Sequence, residues 1–254
     1  MRAPVYALLC ALVLTTAACS GAAPAATPAT AVPTGKRVDP ATAGSISGNV
    51  TFKGATPAPV WLPVNSDQAC LQVLGTRVKS DALLVGPNGG VANAFVYIKS
   101  AFTDYVFETP TRPVTLDQRG CHYTPRVFGV MVGQSIDILN SDPTLHNVHA
   151  QPTVNGEFNK GQPVQGSHMT QVFTAPEVMV HLKCDVHPWM SSFVGVVAHP
   201  FFAVSAADGS FTIPGVPPGE YELTVWHETL GTQSVPVTIT DRGTATAHFT
   251  LATK

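Results

Sequence analysis

From residue 44 onward the chain carries almost no helical period. Short alternating runs are instead broken repeatedly by glycine and proline turns. Ile46, Gly48, Val50 and Phe52 alternate with polar neighbours, as do Tyr221, Leu223 and Val225, and Ala247, Phe249 and Leu251. Successive side chains of a strand point to opposite faces, so such alternation describes half-buried strands. Pro87-Asn88-Gly89-Gly90, Asp208-Gly209, Pro217-Pro218-Gly219 and Asp241-Arg242-Gly243 supply the turns between runs. One short helix is predicted, from Asp67 to Leu74, with Ser66 as its N-cap. Many short strands with turns of this kind describe an all-β chain built from β-sandwiches.

Charge excludes one class of partner. With 14 Lys and Arg against 16 Asp and Glu, and no basic run, the chain lacks the footprint that nucleic-acid binding needs. The first residues read as an export address. Arg2 precedes an apolar run from Val5 to Leu14, and Ala17-Ala18-Cys19 follows. A basic start, a short apolar core and small residues before a cut describe a secretory signal over residues 1–18, too short to remain as a membrane span. Ala17-Ala18-Cys19 resembles the bacterial lipobox, which implies lipidation of Cys19, and Ser20 after it implies anchoring at the outer membrane, facing the periplasm. Residues 19–43 are rich in Ala, Pro and Thr and almost free of bulky apolar side chains, the composition of a disordered tether.

Export places the five cysteines in an oxidising compartment. Cys10 leaves with the leader, and Cys19 is the lipid site. Cys70, Cys121 and Cys184 remain, so one must do something other than pair internally. Cys70 and Cys121 then form a disulfide if Cys184 has another role. Alternatively both stay free and buried, or they bind metal with His122.

Three stretches follow the tether. Residues 44–112 hold strand-like runs, residues 113–198 hold most of the histidines and Cys184, and residues 199–254 contain Asp208-Gly209-Ser210-Phe211 and Pro218-Gly219-Glu220-Tyr221. That last segment resembles the carboxypeptidase regulatory-like, transthyretin-type β-sandwich. Ser47-Gly48-Asn49-Val50 and Ala94-Phe95-Val96 resemble the earlier strands of that family. The resemblance implies one sandwich whose two halves flank the middle module.

The middle module carries the chemistry. A β-run, Val178 to Lys183, leads into Cys184-Asp185-Val186-His187-Pro188-Trp189-Met190. Val178, Val180, Leu182 and Cys184 share one strand face, so the thiol enters from the core side where the chain turns. An imidazole follows three residues on and a thioether three after that. With a distant histidine, one soft thiolate, two imidazoles and a weak axial thioether form the ligand set of a blue-copper site. Zinc fits less well, because no Cys-x-x-Cys motif is present.

Together with Leu145-His146-Asn147-Val148-His149, this loop resembles the cupredoxins, in particular those of the amicyanin and plastocyanin type. The likeness implies a Greek-key β-sandwich over residues 113–198 and one type 1 copper held by His146, Cys184, His187 and Met190. It further implies that Asn147 fastens the ligand loop by hydrogen bonding. Leu145 stands where the family has proline, and Asp185-Val186 replaces its usual pair. His149 is the fallback ligand, although along an extended strand it points away from His146.

The function expected is electron transfer in the cell envelope, with electrons leaving through an exposed edge of His187 to a redox protein docked near His187 and Trp189. Four filled ligand positions leave no place for a substrate, so no enzymatic activity and no small-molecule substrate are expected. Copper storage or delivery, and a carbohydrate- or protein-binding sandwich with a secondary copper site, are the alternatives.

Overall fold

The computed structural model describes residues 35–64, 67–100 and 102–253. The leader, Cys19, the tether up to residue 34 and Ser66 lie outside these residues.

Strand β1 (Gly44–Phe52) is followed by an excursion of β2 (Trp61–Pro63), helix α1 (Gln68–Leu74) and β3 (Arg77–Lys79), and then by β4 (Phe95–Ile98). Next come β5 (Val114–Arg119), β6 (His122–Thr124), β7 (Val127–Met131), β8 (Ser135–Asn140), β9 (His146–Gln151), β10 (Phe158–Gln162), β11 (His168–Val172), β12 (Glu177–Lys183) and β13 (Ser191–Val197). The chain ends with β14 (Phe202–Val204), β15 (Ser210–Val216), β16 (Gly219–His227), β17 (Gly231–Ile239) and β18 (Thr244–Leu251). The fold is all-β apart from α1.

Two sheets, in the orders β15-β1-β18 and β14-β4-β16-β17, enclose one core. β1 runs antiparallel to β15 and parallel to β18, and β4 lies antiparallel between β14 and β16. Ile46, Val50, Val96 and Ile98 from the early strands therefore pack with Phe211, Ile213, Leu223, Val225 and Phe249 from the late ones. Each such side chain contributes about 1.5–3 kcal/mol when fully buried.

The intervening strands form a second pair of sheets, β10-β9-β12-β13-β7 and β11-β8-β5-β6. Parallel pairs β7–β13 and β5–β8 complete them. Leu116, Phe128, Val130, Ile136, Ile138, Val148, Val180, Leu182 and Val194 fill the space between.

Glycine makes the junction of the two bodies possible. Gly129 and Gly195 face each other across β7 and β13. A Cβ on Gly195 would lie 2.4 Å from the Phe95 ring, and one on Gly129 would lie 2.3 Å from Phe202. The bare backbone thus seats two stacked aromatic rings, whose centroids are 5.6 Å apart. Arg126 fastens the same junction. Its buried guanidinium donates to both carboxylate oxygens of Glu228 at 2.7 and 2.8 Å, to Asp81, and to the carbonyl of Ser191.

Three local expectations change. The cap of α1 is Asp67, whose Oδ1 accepts from the Cys70 amide at 2.9 Å. The β2–α1–β3 excursion belongs to the middle body, because Val64, Cys70 and Val78 bury themselves in its core. The described residues begin inside the stretch assigned to the tether. There the Lys36 amide donates to the carbonyl of Asp104 at 2.7 Å, and Val38 packs on the core of the flanking body.

Candidate metal centre

β9 and β12 are antiparallel neighbours, with Lys183 opposite His149 and Leu182 opposite Ala150. The start of β9 therefore meets the end of β12, which brings His146 and Asn147 beside Cys184. The loop after β12 is closed by its own backbone: the Met190 amide donates to the His187 carbonyl at 2.9 Å and the Cys184 amide to the Met190 carbonyl at 3.2 Å. This tight turn returns His187 toward Cys184.

His146, Cys184, His187 and Met190 are all buried, between 0% and 2% exposed. His146 Nδ1 lies 2.9 Å from His187 Nδ1, and Cys184 Sγ lies 3.7 Å from His187 Nδ1. The Cys184 thiol is the one free cysteine among the described residues. The two imidazoles and the thiol form a compact three-atom donor group. Metal bonds of about 2.0–2.3 Å from nitrogen and sulfur span such separations. Met190 is buried in the same core as Cys184.

The outer nitrogens of both rings face carboxylates. His146 Nε2 is 3.0 Å from Asp142 Oδ2, and His187 Nε2 is 3.4 Å from Asp67 Oδ2 and 3.6 Å from Cys70 Sγ. An ionised carboxylate only accepts, so each Nε2 faces a group that takes its N–H, and the Nδ1 atoms are the ones turned inward to a common point. At 2.9 Å the two Nδ1 atoms are close enough to share one proton or one metal ion between them. The donor set therefore fits a soft, thiophilic metal ion. Burial, followed by the neighbouring His146, disfavours the imidazolium form of His187 against the pull of Asp67 and Asp142.

Asn147 ties the two segments together. Its Oδ1 accepts from the Asp185 amide at 2.8 Å and from the Cys184 thiol at 3.2 Å, while its own carbonyl accepts from the Tyr123 hydroxyl. His149 points away from the trio, into an ion cluster with Asp185 and Glu157 at 3.0 and 2.7 Å. Hydrogen bonding from Lys183, then from Asn159 and His149, outweighs the modest effect of burial and holds the Asp185 carboxyl at about 2.

Cys70 and Cys121 form a disulfide. Neither cysteine is free, and His122 instead bonds the Gly120 carbonyl through Nδ1 at 2.9 Å. The bridge corrects one expectation about the site. His187 has no exposed edge: it is 1% exposed, because α1 lies over its Nε2 face and Cys70 pins that helix to Cys121. Trp189 is also buried, donating from its indole to the Cys121 carbonyl at 2.9 Å.

Sequence reasoning missed Asp67 and Asp142. Asp142 sits four residues before His146, but in a turn where that spacing has no fixed meaning. Asp67 is distant in sequence from His187, and only the tertiary fold joins them.

The carboxypeptidase regulatory-like domain family matches residues 196–252. No curated protein matches. Among solved structures, a purple cupredoxin from Nitrosopumilus maritimus is 20% identical over 33% of this chain and 98% of its own, with a TM-score of 0.29. A Cu(I) form of an amicyanin variant is 23% identical over 40% of this chain and 97% of its own, with a TM-score of 0.30. A copper-containing nitrite reductase from Thermus scotoductus SA-01 is 21% identical over 39% of this chain, with a TM-score of 0.29. The aligned region spans a quarter of that reductase's length.

Proposed function

We propose that the protein is a type 1 copper electron carrier of the bacterial cell envelope, in which His146, Cys184 and His187 would be the strong ligands and Met190 the weak fourth. One observation carries this reading. A buried thiol and two imidazole Nδ1 atoms converge, while both outer ring nitrogens face carboxylates. Copper bound there supplies one-electron Cu(I)/Cu(II) chemistry.

The protein's part is geometric and electrostatic. Asn147 holds the ligand loop against β9, so that the imidazoles need not rearrange when charge changes. The hydrophobic body around Cys184 and Met190 excludes water. Copper held by four such ligands would keep no position for a substrate, which favours transfer over catalysis. Electrons would have to pass the cover over His187, because the ring has no open edge. Leu145 and Val186, each adjacent in sequence to a ligand, are 42% and 43% exposed and offer apolar contact for a redox protein. A signal over residues 1–18 and a lipid on Cys19 would hold this carrier at the outer membrane.

The test is to add Cu(II) to residues 20–254 with the disulfide intact and record visible and EPR spectra. An intense thiolate-to-copper band, lost in Cys184→Ser and kept in His149→Ala, supports the reading. A colourless protein without stoichiometric copper ends it. Copper that binds with a normal band but passes at once to a soluble Cu(I) chelator points to delivery instead.

A further inference from the structure

The two carboxylates behind the ligand rings have work that the ligand set alone does not explain. Asp142 is held by its surroundings: its oxygens accept from the Gly120 and Cys121 amides at 2.7 and 2.8 Å as well as from His146 at 3.0 Å. Asp67 is held just as firmly. Its Oδ1 caps α1 through the Cys70 amide at 2.9 Å, and its Oδ2 accepts from the Thr144 hydroxyl at 2.6 Å while lying 3.4 Å from His187 Nε2. Both acids are thus aimed at the two rings by elements that the disulfide joins, since Cys70 follows Asp67 on α1 and Cys121 bonds Asp142.

We propose that Asp67 and Asp142 are a matched pair of positioning residues that fix both imidazoles as inward-facing Nδ1 donors and hold the bound copper in its oxidised form. This inference rests on the copper reading above. A Cys184 thiolate and two carboxylates give three negative charges around neutral rings. Cu(II) leaves one of them uncompensated and Cu(I) leaves two. In a buried site that difference is felt more strongly than in water. Hydrogen bonds from ring nitrogens to carboxylates also make the imidazoles more basic, which favours the higher charge. The site is therefore built as an electron donor, and its partner is a stronger oxidant.

The variants Asp67→Asn and Asp142→Asn remove charge while keeping an oxygen acceptor. Asparagine caps helices about as well as aspartate, so Asp67→Asn leaves α1 in place even if Asp142→Asn weakens the turn at Gly120. Spectroelectrochemistry of the copper-loaded protein reads the result. Each variant is expected to raise the Cu(I)/Cu(II) ratio at fixed potential about tenfold, an upward shift of about 59 mV for one electron. The charge-transfer band should remain. A nitrogen-15 spectrum of the diamagnetic Cu(I) form at neutral pH should show both rings protonated at Nε2.

Unchanged midpoints in a protein that keeps its band would overturn the inference and leave the copper reading standing. Rings protonated at Nδ1 in the Cu(I) form would overturn it as well. A wild type that binds no copper would instead remove the copper reading, and the oxidation-state claim with it.

Discussion

Cutting the Cys70–Cys121 bridge should both destabilise the protein and uncover His187. The bridge spans 51 residues, and the chain-entropy relation for a loop of that length gives about 4 kcal/mol of stabilisation. Two local facts link that number to the site. Cys70 is the one buried residue of α1, and a helix of 7 residues does not persist in water without tertiary support. The Asp67 cap contributes about 1 kcal/mol, which is insufficient alone. In the Cys70→Ala/Cys121→Ala variant, α1 should therefore loosen and the Nε2 face of His187 should meet solvent. Urea unfolding followed by tryptophan fluorescence measures the first effect. Deuterium exchange at the His187 ring carbon, read by mass spectrometry, measures the second. A loss below about 1 kcal/mol with His187 still protected would refute the argument, and would mean that packing alone holds the cover.

Glu177 accepts from the Thr153, Val154 and Asn155 amides and from the Thr153 and Asn155 side chains. Burial pushes its carboxyl up, but these bonds prevail and bring it to about 2. Its stabilisation is therefore complete above the ordinary value of 4.5 and is lost as pH falls through about 2. Glu177→Gln should flatten stability between those limits and cost about 2 kcal/mol at pH 7; denaturation curves at several pH values check both. Arg126→Met should cost about 3–5 kcal/mol by stranding Glu228, with partial recovery when Glu228→Gln is added, as a double-mutant cycle would reveal. Gly195→Ala should lower stability by about 1–3 kcal/mol, because its Cβ would meet the Phe95 ring at 2.4 Å; thermal unfolding decides this.

What could be read in advance depended on how far apart the interacting residues lie. Cys184, His187 and Met190 are packed into seven residues behind a strand, so their convergence follows from one turn. His146 was reachable only through the resemblance of Leu145-His146-Asn147-Val148-His149 to the cupredoxin ligand segment. The flanking sandwich was legible from alternation and from the turns at Asp208-Gly209 and Pro218-Gly219, although its halves are far apart in sequence. The cover over His187 left no such trace. It depends on a short excursion between β1 and β4 crossing to the other body, and that crossing is decided by which core accepts Val64, Cys70 and Val78. Alternation says that a side chain is buried but not against what. The same limit hid Asp67 and made the His187 edge look open.

The most direct measurement is X-ray absorption at the copper edge of the loaded protein, in both oxidation states. One short sulfur scatterer and two imidazole nitrogens are expected, with little change on reduction and with the sulfur lost in Cys184→Ser. A spectrum of nitrogen and oxygen ligands alone, with no sulfur at short distance, would contradict it.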